Sequence, residues 1–112
     1  MDLGKYAERY AYRIEWSKED GEHVGLCTEL PSLSWLAKTQ EEALKGIKDL
    51  VREVLVDMAN NAEIPPKPLA EKEYSGVFKV RIPPFLHRRL ALEAARSQIS
   101  LNRLISAKLA DG

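Results

Sequence analysis

The sequence has 112 residues, 45% hydrophobic and 30% charged, which is ordinary for one folded domain or two small ones. No apolar run approaches the ~20 residues that a membrane span requires, and residues 1–5 lack the apolar core of a secretory signal. Cys27 is the sole cysteine, which excludes a disulfide framework and a multi-cysteine metal site. We therefore expect a cytoplasmic protein with no cofactor, no metal and no membrane partner.

The net charge of zero conceals a split between the two halves of the chain. Residues 1–64 carry 8 Lys+Arg and 13 Asp+Glu, whereas residues 65–112 carry 9 and 4. This asymmetry favours two modules, an acidic one suited to a cationic partner and a basic one suited to phosphate. The simpler alternative is that the charges only keep two surfaces soluble.

The first half of the sequence predicts an antiparallel sheet. Residues 1–9 show no clear period and are expected to fray or to form an approach segment. Alternation of polar and apolar residues predicts three strands, at residues 10–17, 23–30 and 33–37. The proline-rich residues 64–69 suit either a linker or a fourth, edge strand.

One helix is predicted to lie across this sheet. Thr39 and Glu42 form a capping box at its start, in which the Thr39 side chain accepts a hydrogen bond from the Glu42 amide. The apolar residues that follow recur at spacings of three and four: Ala43, Ile47, Leu50, Val51, Val54, Leu55 and Met58. The opposite sheet face, with Ala11, Arg13 and Glu15, is expected to stay open to solvent or to a partner.

Residues 76–83, here called the ribbon segment, alternate as a strand does. One side carries Val77, Lys79 and Arg81, and the other carries Phe78, Val80 and Ile82. Two short helices follow, the first beginning at Pro84 and the second capped by Ser100. A unit this short cannot bury a hydrophobic core by itself. We therefore expect a homodimer in which the two strands pair. The paired strands would form a basic ribbon of the right size for the DNA major groove.

The sequence resembles known families in both halves. The second half resembles the ribbon-helix-helix repressor fold, through residues 78–83, the helix that follows them and Ser100-Leu101-Asn102. This chain has Gln98 at a position where those proteins usually have glycine. Residues 27–35, followed by residues 39–43, resemble the N-terminal domain of HicB antitoxins. The two resemblances follow the domain order of HicB proteins and cover nearly the whole chain.

The combined prediction is an α+β protein with two domains. Residues 1–69 are expected to form a three- to four-stranded antiparallel sheet with one helix, as a HicB-like toxin-binding domain. Residues 70–75 are a predicted hinge, and residues 76–112 a predicted ribbon-helix-helix domain for dimerisation and DNA binding.

The resemblance implies an antitoxin that blocks HicA, a small RNA-cleaving toxin, with a domain that looks like a partial ribonuclease H fold. It also implies repression of the toxin–antitoxin operon through operator DNA, bound by a homodimer or a dimer of dimers. The residues expected to read bases are Val77, Lys79 and Arg81. Those expected to hold phosphate are Ser100, Leu101, Asn102 and Arg103, and the expected dimer core is Phe78, Val80 and Ile82.

The sequence is also compatible with other functions. The chain could be a ribbon-helix-helix repressor whose N-terminal domain senses a small ligand, or an RNA-binding or nuclease-like module. Glu15, Glu22 and Glu29 fall on or near strands, yet no metal-ligand spacing joins them, so we predict no enzyme. Cys27 is expected to be a small core residue instead of a nucleophile.

Overall fold

The computed structural model describes residues 3–112. Within these residues it has an α+β fold with a three-stranded antiparallel sheet, as predicted, and four α-helices where the sequence predicted three. The helices are α1 (Leu3–Arg9), α2 (Gln40–Asn60), α3 (Pro84–Arg96) and α4 (Leu101–Asp111). The strands are β1 (Tyr12–Ser17), β2 (Glu22–Cys27) and β3 (Ser34–Ala37), and a 3-10 helix covers Leu69–Glu71. Contacts divide the chain into an N-terminal unit that ends at Tyr74 and a C-terminal unit, Ser75–Gly112.

The sheet has the strand order β1-β2-β3, with both neighbouring pairs antiparallel. Tyr12 lies opposite Cys27 in the first pair, and His23 lies opposite Ala37 in the second. Gly21, with φ of 63°, makes the turn between β1 and β2, a backbone conformation that glycine adopts without steric cost. No strand is formed by residues 64–69 in the described chain, so they are not the fourth strand of this sheet.

Helix α2 lies across one face of the sheet, as predicted. The Thr39 side chain accepts a hydrogen bond from the Glu42 amide at 3.1 Å, which confirms the predicted N-cap. The side chains of α2 that face the sheet are buried, and they come from the predicted apolar stripe: Ala43, Ile47, Val51 and Leu55. Their spacing of four residues keeps one side of the helix turned towards the sheet.

The prediction that residues 1–9 fray or form an approach segment is wrong for residues 3–9, which form α1; residues 1–2 lie outside the described part of the chain. The N-terminal unit therefore has a second α-helix besides the predicted one. Leu3, Tyr6 and Ala7 of this helix reach the core, as does Tyr10 just after it. A helix of seven residues is marginal alone in water, so packing against α2 and the core stabilises it.

Two glycines allow α2 to approach the sheet closely. A Cβ atom on Gly25 would lie 2.5 Å from the Ala43 carbonyl oxygen and 2.9 Å from Cγ2 of Ile47. A Cβ atom on Gly46 would overlap the Trp35 indole. Glycine costs a helix interior up to ~1 kcal/mol relative to alanine, and the Trp35 contact is the physical reason why Gly46 occupies this position.

The C-terminal unit consists of the ribbon segment, α3 and α4. Gln98, at φ of 57°, ends α3 in the left-handed conformation. The Ile99 amide donates to the Ala94 carbonyl at 3.1 Å and the Gln98 amide to the Ala95 carbonyl at 3.2 Å, which is the Schellman pattern usually built around glycine. Within this unit, Ala94 and Leu104 are the buried apolar residues.

Candidate functional sites

The ribbon segment forms neither a helix nor a strand, and it pairs with no strand within the described chain. Lys79 and Arg81 are exposed to solvent. Phe78 is 71% exposed and Val80 65% exposed, although both are large apolar side chains. A strand with unpaired backbone groups and exposed apolar side chains is a template for pairing with another strand. The ribbon-helix-helix arrangement itself remains a prediction.

An apolar groove of about 760 Å³ lies between the ribbon segment and the two helices of the C-terminal unit. It is lined by Gly76, Val77, Phe78, Val80, Ile82, Leu90, Asn102, Ile105, Ser106, Lys108 and Leu109. The three predicted dimer-core residues are therefore brought together on the groove, whereas Lys79 and Arg81 are not among its lining residues. Val77, predicted to read bases, lies on the groove beside Phe78.

Ser100 is the N-cap of α4, as predicted. Its side-chain oxygen accepts a hydrogen bond from the Arg103 amide at 3.0 Å. Leu101 and Asn102 occupy the first turn behind it, where the positive end of the helix dipole favours anions. The predicted phosphate-binding residues thus share one helix start, although the side chain of Asn102 also lines the groove. Phosphate binding there remains a prediction.

The sheet face turned away from α2 is open and partly apolar. Residues directly opposite each other in an antiparallel pair share a face, and the register places Arg13 opposite Leu26, Glu15 opposite Val24, and Val24 opposite Leu36. Leu36 is 43% exposed, and the Arg13 Nε donates to Oε1 of Glu15 at 2.8 Å. The open face was predicted from Arg13 and Glu15; its apolar part, in β2 and β3, was not identified from the sequence.

Residues 64–71, here called the proline segment, are held against the N-terminal unit. Pro65 and Pro68 are buried. The Tyr10 hydroxyl donates to the Pro66 carbonyl at 2.7 Å, and burial raises the pKa of Tyr10 to about 12. The sequence predicted either a linker or an edge strand for residues 64–69. The structure shows instead a segment that packs against the rest of the N-terminal unit without strand pairing. No local pattern reveals it, because its partners are distant in sequence.

Glu29 connects this segment to the sheet. Its Oε1 accepts from the Ala11 amide at 2.9 Å, and its Oε2 accepts from the Leu69 amide at 2.9 Å. Both oxygens are thus used to hold the fold. The Cys27 thiol lies 3.8 Å from the same carboxylate, and burial raises the pKa of that thiol. The prediction that Cys27 is a core residue is confirmed, since it is 1% exposed within the main apolar cluster.

Among residues 3–112, none of the helices has the length and apolar character that a membrane span requires. A family model described as the HicB family matches residues 61–109. Neither the curated proteins nor the solved structures gave a match. The match covers the ribbon segment, α3 and most of α4, where the candidate DNA-binding residues lie.

Proteins of the HicB family are antitoxins. The matched range includes the residues that resemble the ribbon-helix-helix fold, and it does not include residues 27–43, which resemble the N-terminal domain of HicB antitoxins. The chain is therefore similar to the HicB family over residues 61–109, which are 49 of its 112 residues.

Proposed function

We propose that this chain is the antitoxin of a type II toxin–antitoxin system. The N-terminal unit blocks a HicA-like, RNA-cleaving toxin, and the C-terminal unit represses the operon by binding operator DNA. The observation that carries the proposal is the HicB match over residues 61–109. Because its partners are an RNA-cleaving protein and operator DNA, the antitoxin acts in the cytoplasm.

Dimerisation is the first step of DNA binding. The ribbon segment has no partner strand within the described chain and lies along an open apolar groove, which a second copy of the same segment and helices can cover. Two paired ribbon segments form a two-stranded antiparallel ribbon. Its apolar side, with Phe78, Val80 and Ile82, then packs in the dimer core, and its polar side faces outward.

Base reading follows from the side chains on that outward side. Arg81 donates two hydrogen bonds to O6 and N7 of guanine, and Lys79 donates to guanine or to a phosphate. Val77 contacts a thymine methyl at the margin of the ribbon. The first turn of α4, with Ser100 to Arg103, holds a phosphate and fixes the position of the ribbon in the groove.

DNA reading is tested by replacing Arg81 with alanine in the full chain. We expect Arg81→Ala to weaken operator binding by about 1–3 kcal/mol and to affect random DNA less, with the dimer intact. Lys72→Ala is the control, because Lys72 is also exposed but lies outside the ribbon segment. Equal losses on operator and random DNA would mean that Arg81 only touches the DNA backbone.

Toxin blocking depends on the open sheet face of the acidic N-terminal unit. An exposed apolar patch ringed by charge is typical of a protein-binding surface, and negative charge at the Glu19–Glu22 turn accelerates association with a basic toxin. The toxin is held over Val24, Leu26 and Leu36, so its active site is covered sterically and no catalysis by the antitoxin is needed.

The toxin-binding test uses co-purification with the product of the adjacent reading frame and protection of RNA from cleavage. We expect Leu36→Arg to weaken toxin inhibition by at least about tenfold, since a charge then enters an apolar contact. Leu44→Arg is a matched control, because Leu44 is similarly exposed, at 36% against 43%, but lies on α2. Full inhibition by the Leu36→Arg chain would exclude this face as the toxin site.

A further inference from the structure

Helix α3 carries a second exposed surface that the proposed dimer and DNA contacts do not use. It consists of Phe85, Arg88, Arg89, Leu92 and Arg96, here called the outer face of α3. Phe85 is 70% exposed and Leu92 is 46% exposed, and the three arginines are exposed as well. None of the five lines the apolar groove.

Helical geometry places these five side chains together. At 3.6 residues per turn they fall within an arc of about 100°, on the side opposite to Leu90 and Ala94. Leu90 lines the groove and Ala94 is buried, so the inward side of α3 is already used. The outer face is therefore a separate surface, with two apolar side chains between three cations.

The charges of this face are uncompensated. Among residues 3–112, none of the ion pairs involves Arg88, Arg89 or Arg96. Glu93, the one carboxylate in α3, is held by Lys108 of α4 at 3.1 Å. Arginine binds carboxylates through paired, charge-assisted hydrogen bonds, so a partner rich in Asp and Glu complements the face.

Other occupants fit this face less well. A second copy would bring three arginines against three arginines, and such like-charge contacts oppose association. A DNA backbone would satisfy the arginines but leave Phe85 and Leu92 without apolar contacts. A membrane surface would contact only two apolar side chains, and their apolar area is too small to hold a stable interfacial helix.

We propose that the outer face of α3 binds an acidic, amphipathic helix of another protein, an interaction beyond the toxin and operator contacts proposed above. Phe85 and Leu92 are seven residues apart, about 10.5 Å along the axis. Leucines spaced by one or two turns on the partner pack against this pair, as in helix recognition by apolar anchors. Carboxylates flanking those leucines pair with the arginines.

The test measures binding of a synthetic, end-capped helical peptide to the full chain by fluorescence anisotropy. The probe carries leucines at positions i, i+4 and i+7 and glutamates on both sides of them. We expect saturable binding with a Kd below about 100 µM at low salt. Phe85→Ser, Leu92→Ser and the double variant Arg88→Ser/Arg89→Ser should each weaken it by about tenfold or more.

Val56→Ser is the matched control, because Val56 is 50% exposed on another helix; it should bind the probe like the unchanged chain. Circular dichroism of each variant verifies that the helix content is retained. Absence of saturable binding, or equal binding by a probe with serines in place of leucines, would overturn the proposal. If the arginine variants lose affinity for duplex DNA while the probe does not bind, the face is a DNA contact and the proposal fails.

Discussion

The N-terminal and C-terminal units bury their apolar side chains to different extents. In the N-terminal unit, α1, the sheet and α2 close around a core that includes Ile47, Val51 and Leu55, each fully buried. In the C-terminal unit, most large apolar side chains of the ribbon segment stay exposed, and Leu109 of α4 is 64% exposed. The contrast predicts that the first unit is stable by itself, whereas the second would gain most of its stability from the partner chain in the proposed dimer.

The largest effect should come from opening the closed core. Ile47→Ala is expected to lower the free energy of unfolding of the N-terminal unit by about 2–5 kcal/mol, because it leaves a cavity where no solvent enters. The measurement is urea unfolding followed by circular dichroism. Val56→Ala, on the exposed side of the same helix, should change the value by less than about 0.5 kcal/mol. Similar losses in both variants would contradict a closed core at Ile47.

The second prediction concerns the open groove. Phe78→Ala should raise the dissociation constant of the proposed homodimer by about a hundredfold or more. The reason is that burying each of the two Phe78 side chains contributes about 1.5–3 kcal/mol to the free energy of association. Sedimentation equilibrium measures the change. Tyr74→Ala is the control, because Tyr74 is 73% exposed, close to the 71% of Phe78, but lies outside the groove. A Phe78→Ala chain that dimerises normally would show that the groove is not the dimer interface.

The third prediction separates two tight contacts within the N-terminal unit. Gly25→Ala should destabilise this unit by about 1–3 kcal/mol, because the new methyl group meets the Ala43 carbonyl, which cannot move aside. Gly46→Ala should cost less, since the Trp35 side chain is 46% exposed and can rotate away, and alanine favours the helix by up to ~1 kcal/mol. Thermal unfolding of the two variants gives the order, and the reverse order would mean that the Trp35 side chain cannot rotate away.

The fourth prediction concerns the proline segment. Tyr10→Phe should cost about 0.5–1.5 kcal/mol, because the Pro66 carbonyl loses its hydrogen-bond donor. Since burial raises the pKa of Tyr10 to about 12, its stabilising effect is fully present below pH 10 and is lost as the pH rises from about 10 to 12. Unfolding measured across this range should show a weaker pH dependence in Tyr10→Phe than in the control Tyr74→Phe. Identical profiles would exclude a role for the hydroxyl.

The smallest predicted effect is a gain in stability. Gln98→Gly should stabilise the C-terminal unit by up to about 1 kcal/mol, because φ of 57° strains any side chain with a Cβ atom. The measurement is the midpoint of thermal unfolding of the full chain at one fixed protein concentration. Gln98→Ala should give no such gain, and a loss on changing Gln98 to glycine would mean that the glutamine side chain itself stabilises the turn.

The sequence predicted what short-range periodicity determines. The three strands, the Thr39 cap, the buried stripe of α2 and the Ser100 cap each depend on residues within one or two turns, or on alternation along a strand. Helix α1 was missed because its pattern spans only two turns and its stability comes from tertiary packing. The roles of Gly25 and Glu29 depend on atoms distant along the chain, which no local pattern contains.

The candidate sites also contain parts that a local sequence pattern predicts and parts that it does not. The apolar side of the ribbon segment and the helix start at Ser100 were visible as patterns, and the structure brings their residues to one groove and one helix end. The apolar part of the open sheet face was not visible, because it requires the register that sets Val24 opposite both Glu15 and Leu36. In the proposed dimer, the pairing partner of the ribbon segment belongs to a second chain, so a single sequence carries no direct record of it.

Both tryptophans of the chain belong to the N-terminal unit. Trp35 lies over Gly46, and the Trp16 ring meets His23 edge-on at 5.0 Å between centroids. The intrinsic fluorescence of the unlabelled protein therefore reports on one unit, while the other is silent at tryptophan wavelengths. A ligand that changes the emission acts on the first unit directly or through coupling. Tryptophan emission is thus an optical test for partners of that unit.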